Sequence, residues 1–296
     1  MNSLKRAIRL IREERYSQLI KESSNKLRHQ ALYPLNRWRM RRLVSSSDTN
    51  LKKIGTSIQK SKREPSTERE RTILGMIEER HFELENDSTE IEIVDYGAGD
   101  PDTQGQDGSK TKSLRISEAP KCSIKEGSLL FHLVRNFTPS KCLELGTSVG
   151  MSAAYQGSAA SLNGNGEVVT LEGSETIAGI AVDTFNKLNL ENIEIVIGPF
   201  QKTLSTALTE HQKFDFVIID GHHEKEATKK YWDQISTNLE ENAIVVFDDI
   251  HWSQGMEQAW NSIRSDELFE PIVDIWGYGI GVKTSGSTNE SVTRIY

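Results

Sequence analysis

From Ile124 to Thr284 the chain alternates between two periods. Short apolar runs rich in Val, Ile and Leu are separated by stretches whose apolar positions recur at helical spacing. The runs predict strands at about 141–145, 167–172, 193–197, 214–220 and 243–248. The periodic stretches predict helices at about 124–137, 150–162, 174–188, 201–210, 224–239 and 254–265. Segments 271–276 and 278–284 read as a closing hairpin around Gly277. Strands that alternate with helices imply an α/β fold: a doubly wound, mostly parallel sheet with helices on both faces. The hairpin puts one antiparallel strand at an edge.

The pattern is weaker upstream. Residues 4–32 read as a helix with Leu4, Ile8, Ile11 and Leu19 on one face and Arg and Lys between them. Pro34 interrupts it, and Arg37–Arg42 stays basic. Residues 45–70, rich in Ser, Thr, Lys and Glu, read as a linker, followed by a short helix at 67–81. A strand at 91–95 leads into Tyr96-Gly-Ala-Gly-Asp-Pro101, and the polar stretch to about Leu114 reads as a loop. The expected division is a basic helical arm (1–44), a linker with a helix, strand and loop (45–120), the α/β domain (121–284) and a flexible tail (285–296).

Charge sharpens that division. The net charge is -7, yet residues 1–44 hold twelve Lys and Arg against three Glu, or +9, which leaves -16 for the rest. An acidic domain repels phosphates, so nucleic acid is not an expected partner. The basic arm suits an anionic membrane surface or a protein partner, and a solvated helix fits it too. No apolar run reaches about 18 residues, and the N-terminus lacks an apolar signal core, so a cytoplasmic, membrane-peripheral protein is expected. Cys122 and Cys142 have no metal spacing and read as reduced structural thiols.

Two glycine turns follow an acid. Asp95-Tyr-Gly-Ala-Gly99 has no helix after it and reads as a turn, with a loop that shapes the substrate side as the alternative. Glu144-Leu-Gly-Thr-Ser-Val-Gly150 sits between a strand and a helix, the geometry that lets backbone approach a nucleotide-like ligand. The next strand ends in Glu172. Glu144 is expected to face an amino group, and Glu172 to take two ribose hydroxyls. Gly146-Thr-Ser-Val-Gly150 lacks the close glycine pair of a dinucleotide fingerprint, which disfavours a nicotinamide cofactor.

Ligands of open parallel sheets sit beyond the carboxyl ends of the strands. Two strands there end in Asp220-Gly-His-His223 and Asp248-Asp249-Ile-His251-Trp252. Burying such groups unpaired is costly, which points to a site. Two chemistries fit. Asp220, Asp248 and Asp249 can ligate Mg²⁺, which would lower the pKa of a substrate hydroxyl. Alternatively His223 or His251 is the general base, oriented by Asp248 or Asp249. Trp252 is placed to floor a ring-shaped pocket.

These segments, with Thr170-Leu-Glu-Gly173 and Ile197-Gly-Pro-Phe200, resemble class I S-adenosylmethionine-dependent methyltransferases. Within that class the chain is similar to bacterial O-methyltransferases of the sugar and catechol type, over about residues 124–284. The resemblance implies a seven-stranded sheet of order 3-2-1-4-5-7-6 with strand seven antiparallel. It implies Glu144, Gly146, Thr147 and Gly150 around the methionine end, Glu172 on the ribose, Gly198 and Phe200 beside adenine, and Asp220 at the cofactor junction. It departs from the catechol type at His223, where a lysine is expected, and at Asp249, where asparagine is usual. The implied activity is methylation of a hydroxyl on a small molecule, sugar or glycan precursor, with S-adenosylmethionine as cofactor; a homodimer and a monomer both stay open. The rival reading is a catalytically degenerate S-adenosylmethionine-binding scaffold recruited through its basic arm.

Overall fold

The computed structural model describes residues 38–63, 65–96, 110–265 and 268–284, with backbone alone for 292–295. The expected helix at 4–32 lies outside them. A helical segment over 38–44 comes first, then α1 (Thr49–Lys60), α2 (Glu68–Glu85), β1 (Glu90–Asp95) and β2 (Lys110–Arg115). The α/β part follows as α3 (Ile124–Phe137), β3 (Lys141–Leu145), α4 (Met151–Asn163), β4 (Glu167–Glu172) and α5 (Glu175–Lys187). It continues with β5 (Ile193–Ile197), α6 (Phe200–His211), β6 (Phe214–Ile219), α7 (Lys225–Ile235), β7 (Leu239–Phe247) and α8 (Gln254–Arg264). The chain closes with β8 (Phe269–Ile275), β9 (Tyr278–Lys283) and β10 (Val292–Ile295).

The main sheet runs β10-β8-β9-β7-β6-β3-β4-β5. Counted from β3, seven of its strands give the expected order 3-2-1-4-5-7-6. β9 is antiparallel to both β7 and β8, and the other pairs are parallel. The inner strands are buried on both faces, which is why Phe216-Val-Ile-Ile219 and Ala243-Ile-Val-Val-Phe247 read as unbroken apolar runs. α4 is buried at every position from Met151 to Ala160. Its small residues, Ser152-Ala-Ala154 and Gly157-Ser-Ala-Ala160, let it lie between the sheet and α3.

Three expectations fail upstream and at the end. The stretch read as a linker holds α1, in which Ile54 and Ile58 are fully buried. The stretch read as a loop to Leu114 contains β2, which pairs antiparallel with β1 in a separate two-stranded sheet. The stretch read as a tail contains β10, parallel to β8. Backbone pairing compensates for the weak apolar pattern in Lys110-Thr-Lys-Ser-Leu-Arg115 and Val292–Ile295. One continuous apolar cluster joins Leu43, Ile54, Ile58 and Ile77 to Leu129, Phe131 and Tyr155. Ser57 donates to the His132 carbonyl at 3.0 Å and accepts from Asn136 at 2.8 Å, which locks α1 onto α3. Among the described residues no helix is long and apolar enough to cross a membrane.

Candidate active site

The site lies at the carboxyl ends of the parallel strands, where the ladder continues one residue past each strand. Gly146 N–H donates to the Leu171 carbonyl at 3.0 Å, Asp220 N–H to Leu145 at 3.0 Å and Asp248 N–H to Ile219 at 3.0 Å. That continuation places Asp220 and Asp248 side by side on one rim. Gly146 has φ +107, and a Cβ there would sit 1.9 Å from the Asp220 carbonyl oxygen. Only glycine satisfies both the turn and the close approach.

A cavity of about 450 Å³ opens above this rim. It is lined by Gly146, Thr147, Glu172, Phe200, Asp220, His223, Asp248 and Asp249, eight of the twelve residues expected. Thr147 shares a 2.6 Å hydrogen bond with Thr170. Glu172 accepts from the Ser148 N–H at 2.9 Å and the Ser174 N–H at 2.9 Å, which fixes the carboxylate at the turn. Burial first, and Asp95 nearby, raise its pKa against those bonds.

The other four residues do not line the cavity. Glu144 is fully buried beneath the turn, where it accepts from Gln156 at 2.7 Å and Thr170 at 2.6 Å. Desolvation pushes its pKa up to about 7. It holds the turn from behind rather than facing an amine. Gly150 caps α4 and packs on Ala181 and Phe185. Gly198 donates its N–H to the Glu172 carbonyl at 2.8 Å and positions the strand end. His251 faces away: its ring lies 3.3 Å from Glu257 and 3.2 Å from Asp274. Trp252, 72% exposed, does not line the cavity either.

The acid–histidine cluster carries the electrostatics. Asp220 is raised to about 7 by burial and then by Glu144 and Asp249, and it bonds Asp248. Asp248 is raised to about 9 by burial and then by Asp220 and Asp249. Each carboxyl thus disfavours ionisation of the other. His223 lies 3.5 Å from Asp220 and 3.7 Å from Asp249, and burial lowers its pKa. His222, His223 and Asp249 have φ of 69°, 33° and 52°. Such strained positions cluster at functional sites.

Among the described residues no group of three or more His, Cys, Asp and Glu is placed to hold a metal ion. The expected Mg²⁺ ligands do not fit as arranged. Asp220 and Asp248 bond one another, and Asp249 faces His223.

Sequence reading missed the roof. Ile93, Asp95 and Tyr96 of β1 and its end, with Lys112 and Leu114 of β2, line the same cavity. The Asp95-Tyr96 string borders the site, nearer to the alternative of a substrate-side loop than to the favoured plain turn; the glycines after it lie outside the described residues. Pro120, Cys122 and Ser148 were missed as well. Ser148 donates to the Pro120 carbonyl at 2.6 Å.

Residues 143–250 match the family model of a methyltransferase domain. Over this segment the chain is similar to methyltransferase domains. The chain has the Rossmann-like fold of class I methyltransferases, as its strand order shows. Cofactor-bound Rv0187 from MTB is similar at 21% identity and TM-score 0.51, over 57% of this chain and 85% of that one. A putative O-methyltransferase from Klebsiella pneumoniae is similar at 16% identity and TM-score 0.50, over 75% and 92%. An O-methyltransferase from Bacillus cereus solved with SAH is similar at 23% identity and TM-score 0.49, over 56% and 83%. No curated protein matches the sequence. Residues 1–142, nearly half of the chain, lie upstream of the methyltransferase match, so the β1–β2 roof lies outside it.

Proposed function

We propose that the chain transfers the methyl group of S-adenosylmethionine to a hydroxyl of a small molecule, sugar or glycan precursor. The observation that carries this reading is the convergence, in one cavity of the methyltransferase domain, of Glu172 at the glycine turn with the Asp220–His223–Asp248–Asp249 rim. A similar structure, Rv0187 from MTB, was solved with cofactor bound, which agrees with it.

Each Glu172 oxygen already accepts one backbone N–H and keeps a lone pair for a ribose hydroxyl. Glu144 is spent behind the turn, so Asp220 is the acid left to take the amine. Phe200 borders the adenosine side. His223 is the general base. Burial holds its pKa below the ordinary histidine value, so it is neutral and free to accept the hydroxyl proton near neutral pH. The imidazolium that forms lies between Asp220 and Asp249. The hydroxyl oxygen attacks the methyl carbon in line, and the sulfonium leaves as a neutral thioether. Orientation and deprotonation supply most of the rate.

Turnover is read as release of S-adenosylhomocysteine with a panel of phenols and sugars. His223→Gln is expected to lose about 10²–10⁴-fold in kcat while keeping cofactor affinity. His251→Ala, outside the cavity, is expected to keep both. Glu172→Ala is expected to lose cofactor binding. EDTA is expected to leave the rate unchanged. Full activity in His223→Gln refutes the base assignment, and EDTA inhibition reversed by Mg²⁺ restores the metal mechanism.

A further inference from the structure

The residue after Glu172 is Gly173, so the strand end that meets the adenosine half of the site brings no side chain of its own. The space is filled from elsewhere. A Cβ on Gly173 would lie 2.5 Å from Cδ2 of Tyr96 and 3.0 Å from its Cε2, so the tyrosine ring lies directly on the glycine backbone. Tyr96 follows β1. The Val94 N–H donates to the Ser174 hydroxyl at 3.2 Å, which pins the end of the hairpin to the same turn. β1 also packs against α5, the helix that starts just after that turn. The ring is half-buried, and it lines the cavity together with Glu172, Gly173, Ser174 and Ile177.

We propose that the β1–β2 hairpin is the cover of the adenosine half of the cofactor site, with Tyr96 supplying the aromatic face for adenine that Gly173 cannot. This rests on the S-adenosylmethionine reading above. The chemistry is direct. A purine offers a flat π-face that a phenol ring can cover in part, and base–aromatic stacking is sequence-tolerant and substantial. Ile93 and Leu114 extend the apolar side of the cover, and Asp95 adds negative charge beside Glu172 where ribose hydroxyls donate. A purine bound there would be held between the methyltransferase domain and a hairpin that its family match does not include.

The test is calorimetric titration of the full chain with S-adenosylhomocysteine and with 5′-methylthioadenosine, which keeps the adenosine and lacks the amino acid. Tyr96→Ala is expected to weaken both by about tenfold or more, and Tyr96→Phe to stay within about twofold of wild type. Circular dichroism checks that the variants fold. A second readout is the nuclear Overhauser contact between the adenine H2 or H8 proton and the Tyr96 ring, which a merely structural tyrosine would not give. Wild-type binding with Tyr96→Ala unaffected, or no such contact in the complex, overturns the inference and leaves the cofactor reading standing. No binding of either ligand to wild type overturns both.

Discussion

Asp248 shows how one side chain can tie stability to pH. Burial and two neighbouring carboxylates raise its pKa from 3.8 to about 9, and Asp220 rises to about 7. A carboxyl with a raised folded pKa binds more protons folded than unfolded. Its contribution is therefore complete below the unfolded value and is lost as pH climbs through the folded one. His222 and His223 have the opposite sign, because burial lowers their pKa and the folded state binds fewer protons near the ordinary histidine value. That opposing effect ends near pH 6.5, the ordinary value. Between about pH 7 and 9 the raised carboxyls lose their contribution, joined at the upper end by the buried thiols of Cys122 and Cys142, whose pKa burial also raises, and the melting temperature of the ligand-free protein should fall. Asp248→Asn should flatten that fall and raise the melting temperature at pH 9. Scanning calorimetry across the window decides it, and an unchanged slope in the variant would refute the assignment.

At the level of elements, α1 is the part that composition conceals most. Thr49–Lys60 carries Lys, Ser or Thr at half of its positions, and only Leu51, Ile54 and Ile58 mark its apolar face. Those few positions suffice because α3 and the 38–44 segment cover them. A Cβ on Gly55 would meet Leu43 Cβ at 2.6 Å, so the two segments touch backbone to side chain. If the stretch were a linker, Ile58→Ala would cost next to nothing. In a fully buried site it should cost about 2–5 kcal/mol, read as a lower urea midpoint at unchanged slope. α2 bonds similarly to the site. Arg80, 8% exposed, donates to Thr184 at 3.1 Å and pairs with Asp183 at 3.1 Å. Thr184 in turn donates to the Val149 carbonyl of the glycine turn at 2.9 Å. The upstream helices thus reach the cofactor turn through one side-chain relay.

For the whole molecule, the shared core predicts a single cooperative transition. Leu43 and Ile77 belong to the same cluster as Leu129 and Val273. Far-UV circular dichroism and tryptophan fluorescence should therefore unfold together, and two separated transitions would show that the upstream helices fold apart from the α/β domain. The strand–helix alternation and the rim that carries Asp220, Asp248 and Asp249 were legible in the chain, and the sheet order came from the family resemblance. Strands buried on both faces must be written as apolar runs, and a parallel sheet gathers the ends of those runs on one side. The facing of individual groups was not legible. Glu144 and Glu172 both lie at strand ends after similar runs, yet one points back under α4 to Gln156 and the other into the cavity. His251 is two residues from Asp249 and still faces outward to Glu257 and Asp274, because the backbone turns through a positive φ at Asp249. The roof was hidden for a different reason. β1 and β2 bury little apolar surface and meet the site across some eighty residues of sequence, so packing against the Glu172–Ser174 turn alone decides that Tyr96 belongs to it.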